Sequence, residues 1–104
     1  MKVIGVEEHV LPAEVGRAWT TFPGGDDGTL ALNGAVIAER LADLGEKRLA
    51  LMDETGVDVQ VLSLTTPGLN NLGGHGVDLA RRVNDLLAET VAANPSRFQA
   101  LAVL

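Results

Sequence analysis

Glu7, Glu8 and His9 put two carboxylates beside an imidazole near the start of the chain. They lie in the run VIGVEEHV at 3–10, whose apolar residues predict a first β-strand. Successive side chains of a strand point to opposite faces, so residues two apart share one. On that alternation Glu7 and His9 point one way with Val3 and Gly5, while Glu8 points the other way with Ile4 and Val6. Pro12 cannot donate to a sheet ladder, which ends the strand near Val10 or Leu11. A carboxylate oxygen and an imidazole nitrogen at one strand end suit zinc, manganese or iron. Two ligands do not complete a site, because a catalytic zinc takes three protein ligands and keeps an open position. The plainer alternative is a strand terminus whose polar residues simply reach water.

The elements that must position this pair can be read along the chain. A segment from Pro12 to about Gly34 reads as irregular, with PGGDDG at 23–28 marking a loop. Trp19 and Phe22 fall in it, just beyond the candidate ligands. Two readings stand side by side, a lid or substrate wall made by Trp19 and Phe22, and a loop that tucks Trp19 into the core. Residues 35–55 are helical by spacing, and Gly45 divides them into two short helices or one bent helix. Gly56 fits a helix C-cap. VDVQVLSL at 57–64 is a second strand. The loop 68–76 reads as flexible and matches neither the dinucleotide fingerprint nor the P-loop. His75 within it reads as a solvated loop histidine. Residues 77–93 form the clearest helix, with Leu79, Val83, Leu86, Leu87 and Val91 on one stripe. Asp78 and Arg82 form an attractive pair on that helix, and Asn94-Pro95 stops it. FQALAVL at 98–104 is a third strand.

Strand, helix, strand, helix, strand favours a parallel α/β sheet with right-handed crossovers. Helices on one side only would leave the other face of the sheet bare, an apolar liability. The expectation is therefore a piece of a larger (β/α) barrel, or a chain that needs partners, since a closed barrel takes roughly 250 residues.

Composition narrows the function classes. The 104 residues carry 14 acidic against 8 basic side chains, a net charge of −6. That balance speaks against a nucleic-acid surface. No cysteine is present, so there is no disulfide framework or thiolate metal site, which fits a reducing cytoplasm. No apolar run is long enough to span a membrane.

Three blocks, VIGVEEHV, RLALMDETGVDVQVLSLTTPG and LARRVNDLLAETVAANPSRFQALAVL, together resemble the start of the amidohydrolase-related, metal-dependent decarboxylases, the group of gamma-resorcylate, 2,3-dihydroxybenzoate and aminocarboxymuconate-semialdehyde decarboxylases. The stretch 20–34 matches least. The resemblance implies a distorted (β/α)8 barrel that holds one divalent metal ion, zinc or manganese, with Glu7 and His9 as ligands and Glu8 as spacer. It implies a small aromatic carboxylic acid as substrate, carbon dioxide as product and a homo-oligomer. The acid that protonates the ring and the remaining histidine ligands are implied to lie outside these residues, so no catalytic residue falls within the chain, which is expected to be inactive alone. Two alternatives share the sequence. One is a hydrolase of the same superfamily, and the other a non-catalytic α/β module that associates with itself.

Overall fold

The structure is a computed structural model that describes all residues from Met1 to Leu104. Its frame is three parallel strands in the order β1 (Ile4–Val10), β2 (Val59–Leu64) and β3 (Phe98–Ala100). Between β1 and β2 run α1 (Ala13–Thr21), the single turn α2 (Thr29–Leu32), α3 (Ala35–Ala42) and α4 (Glu46–Thr55). Between β2 and β3 lie a 3-10 turn, Asn70–His75, and α5 (Gly76–Ala93). The α/β class, the parallel order and the strand–helix alternation agree with the sequence reading. All three strands are shorter than that reading: β1 starts at Ile4, β2 starts at Val59, and β3 ends at Ala100. Beyond β3 the backbone remains tied down. Leu101 N donates to the Leu62 carbonyl, and the Asn84 amide pairs with both backbone groups of Val103.

The segment 12–34 is irregular only in part, with the loop at 22–28 where the sequence reading put it and helix on either side. Its first part is α1, whose Val15, Ala18, Trp19 and Phe22 recur at i, i+3, i+4 and i+7, the apolar stripe of a helix. Pro12 precedes α1, where a missing N–H costs nothing. The split expected at Gly45 is present. Asp43 Oδ1 accepts from the N–H groups of Gly45 and Arg48 and so caps the start of α4. Gly56 closes α4 with φ 80°, ψ 21°. That left-handed geometry suits glycine, so Gly56→Ala is expected to lower stability by about 1 kcal/mol in urea unfolding. The loop 68–76 also has more order than expected, because Leu69 and Leu72 are buried and anchor the 3-10 turn. On α5 the buried stripe is Leu79, Val83, Leu87 and Thr90. Arg82 does not pair with Asp78. It reaches Glu14 of α1 at 2.7 Å, while Arg81 takes Asp78.

The core lies between the sheet and the helices. Val10, Leu62 and Phe98 are fully buried on that side, with Val15, Trp19, Met52 and Val83. The other side of β1 is uncovered, with Ile4 54% exposed. Helix α3 buries no residue, and Val36 and Ile37 on it are exposed. At the amino ends of the strands, Arg97 binds the Asp58 and Val57 carbonyls and the Asp53 carboxylate. No helix is long and apolar enough to cross a membrane.

Candidate active site

The carboxyl end of β1 is built on a bulge. Gly5 pairs with Gln60 and Glu8 with Leu62, so Val6 and Glu7 together oppose Val61. Glu7 absorbs the extra residue at φ 56°, the one non-glycine residue of positive φ in the chain. That conformation costs an ordinary residue about 1–2 kcal/mol. Bulges of this kind re-aim side chains next to active sites, and strained backbone gathers there.

The bulge corrects the strict alternation drawn from the sequence. Partners across a parallel ladder share a face. Gly5, Glu8 and Val10 therefore lie with Gln60, Leu62 and Leu64 on the helix-covered face. Ile4 and His9 lie with Val59 and Ser63 on the uncovered one. Strict alternation puts Gly5 beside His9 and Ile4 beside Glu8, and a one-residue slip reverses both. It does leave Glu8 opposite His9, as expected. The Glu8 carboxylate folds back over Gly5, where a Cβ would stand 2.2 Å from Glu8 Oε1. A side chain at residue 5 would displace that carboxylate.

Glu7 and His9 are both exposed, and neither takes part in the chain's ion pairs. As a carboxylate oxygen and an imidazole nitrogen at one strand end, they fit a divalent cation by donor type. They supply two positions of its coordination shell. No group of three or more histidine, cysteine, aspartate or glutamate side chains is placed to hold a metal.

Behind this strand end lies a residue that sequence patterns do not single out. Arg48 of α4 is only 8% exposed. Its Nε donates to the Asp43 carbonyl at 2.6 Å and its Nη1 to Gln60 Oε1 at 3.0 Å. Its Nη2 donates to the carbonyls of His9 and Arg40, each at 3.1 Å. Burial lowers the guanidinium pKa, and the nearby Glu8 and Asp43 carboxylates partly oppose that. A cavity of about 710 Å3 opens beside it, lined by Glu7, Glu8, His9, Asp43 and Gln60 among others. Charge spacing in EKRL gives no hint that this arginine is buried.

The aromatic residues divide. Trp19 is 2% exposed, and its Nε1 donates to the Gly68 carbonyl at 2.7 Å, so it packs in the core and ties α1 to the segment after β2. Phe22 is half-buried and stacks on His75, with centroids 4.0 Å apart and planes 11° from parallel. His75 is exposed, as expected of a loop histidine, yet it is held against Phe22. Nothing in the local sequence of either residue signals that contact.

No protein-family model matches the chain. Gamma-resorcylate decarboxylase of Rhizobium radiobacter is 34% identical over 103 residues, which is 97% of this chain and 30% of that protein. The 5-carboxyvanillate decarboxylase of Novosphingobium aromaticivorans, solved with manganese and 4-hydroxy-3-methoxy-5-nitrobenzoic acid, superposes with a TM-score of 0.81 at 34% identity. The match covers 99% of this chain and 34% of that one. The chain is homologous to these decarboxylases. A 2,6-dihydroxybenzoate decarboxylase from Rhizobium superposes over 100% of the chain and 30% of its own, with a TM-score of 0.72 at 33% identity. The chain thus spans about a third of the length of the aromatic acid decarboxylases it matches, and corresponds to their N-terminal part.

Proposed function

We propose that residues 1–104 are the N-terminal portion of a single (β/α)8 barrel domain, and that the complete enzyme is a metal-dependent, non-oxidative decarboxylase of a hydroxylated aromatic carboxylic acid. The observation that carries this reading is the Glu7–His9 pair at the carboxyl end of β1, the edge on which barrel enzymes place their chemistry. The homologous 5-carboxyvanillate decarboxylase was solved with manganese and a nitrobenzoic acid, which supports the same reading.

Glu7 and His9 would hold one divalent ion, manganese or zinc, through oxygen and nitrogen. Such an ion supplies Lewis acidity toward a carboxylate and a neighbouring hydroxyl. The remaining work of these residues is positional. The Phe22–His75 stack gives a flat, partly apolar surface that can lie against an aromatic ring and keep water from it. Trp19 serves indirectly, by fixing α1 and so the place of Phe22. Protonation of the ring carbon falls to an acid outside these residues, so the chain by itself is inactive. Copies of the complete enzyme associate as a homo-oligomer.

The test uses the intact polypeptide that carries this sequence, with manganese and a panel of hydroxybenzoates, esters and lactones. Release of carbon dioxide from the hydroxybenzoates is the expected result. Hydrolysis of the esters or lactones without carbon dioxide release would transfer the site to a hydrolase. His9→Ala is expected to lose bound metal and activity together while the fold persists, because the His9 side chain is exposed at a strand end. Stoichiometric metal retained by that variant, measured by elemental analysis, would remove His9 from the ligand set.

A further inference from the structure

The bulge that carries Glu7 needs something to hold it. A residue other than glycine at φ 56° persists only where its surroundings over-determine it. Hydrogen bonds within the ladder cannot do this, because the register breaks there. Arg48 reaches both sides of the break. Its Nη1 grips the side chain of Gln60, the ladder partner of Gly5, just before the bulge. Its Nη2 grips the carbonyl of His9, just after it. The same Nη2 also donates to the Arg40 carbonyl, and Nε to that of Asp43, which fixes the guanidinium to the α3–α4 corner.

This buried cation forms no direct ion pair, since none of the chain's salt bridges includes it. Neutral oxygens satisfy four of its five N–H directions. A residue needed only for packing would bury less charge, because removing an ion from water is costly. The planar fork has a property that an apolar residue lacks, which is to fix several oxygens at set distances and angles.

We infer that Arg48 is a positioning residue for the metal site, a clamp across the β1 bulge that sets where Glu7 stands relative to His9. It acts through the backbone of His9 and the side chain of Gln60. This rests on the reading of Glu7 and His9 as ligands. Gly5 belongs to the same device, since it leaves space for Glu8, the charged group that faces Arg48 from β1.

The experiment compares manganese affinity, read from the electron paramagnetic resonance of free Mn2+, in the intact polypeptide and its variants. Arg48→Ala is expected to raise the Kd by about 10-fold or more, the usual cost of losing a group that orients a ligand. Millimolar guanidinium should restore affinity to that variant and leave the parent unchanged. A purely structural loss would instead worsen in guanidinium. Arg48→Lys keeps the stem and the charge but not the fork. It should fold even if the alanine variant does not, and should also bind more weakly than the parent. Parent-like affinity in folded Arg48→Lys or Arg48→Ala, with His9→Ala unable to bind, would overturn the clamp and spare the ligands. Parent-like affinity in His9→Ala would overturn both.

Discussion

Trp19→Ala is expected to lower stability by about 3–5 kcal/mol, the range for truncating a buried aromatic residue. Two losses add. The indole is 2% exposed among the core residues, so its removal leaves a large void. Its Nε1 is also the partner of the Gly68 carbonyl at 2.7 Å, a bond that joins α1 to the segment after β2 across 49 positions of sequence. Single domains rest on about 5–15 kcal/mol in total, so much of the margin would go. Trp19→Phe separates the two terms. It keeps most of the ring and drops the donor, and should lose about 1–2 kcal/mol more than a conservative core change, the cost of an unpaired carbonyl. The check is urea unfolding followed by far-ultraviolet circular dichroism, since Trp19 is the only tryptophan and its fluorescence disappears with it. An alanine variant as stable as the parent would mean that Trp19 does not anchor α1.

The anchor also shows where sequence reading succeeds and where it stops. The strands and α5 are legible because their apolar residues repeat over enough positions to define a period. The two halves of 35–55 are legible because Gly45 interrupts the pattern. Helix α1 is not. Its nine residues hold Gly16 and end in two threonines, and a glycine-aspartate cluster follows it. Those local signals outweigh the stripe at Val15, Ala18, Trp19 and Phe22, which takes on meaning only when Trp19 finds the core. The contacts of Arg82 with Glu14 and of His75 with Phe22 are long-range and leave no local trace.

The candidate site divides in the same way. The types and spacing of Glu7 and His9 are enough to mark them as possible ligands. Their faces are another matter. Alternation is a sound rule for an unbroken ladder, and bulges usually announce themselves with glycine. Here the left-handed position is held by glutamate, so the sequence offers no warning of the slip. The clamp at Arg48 is equally hidden, because a charged residue in a helix just after a glutamate and a lysine reads as a solvated one.

That strained glutamate leads to the second large expected effect. On the proposed assignment, Glu7→Gly in the intact polypeptide should lose metal binding and activity while the fold holds or gains. Glycine at φ 56° removes about 1–2 kcal/mol of backbone strain. Against that stands about 0.4–1 kcal/mol from the freer unfolded chain. The net is near zero or slightly stabilising, with the carboxylate gone. Glu7→Val is the counterpart. It removes the same carboxylate but places a β-branched residue where such residues are outliers, and should cost about 2 kcal/mol, within the range for strained backbone. Both variants should retain no manganese after desalting, whereas their urea midpoints should move apart. Equal midpoints would mean that residue 7 is not left-handed in solution, and that β1 runs through without its bulge. A divergence, with metal lost from both, would show the backbone bearing strain at a position that the proposed site uses as a ligand.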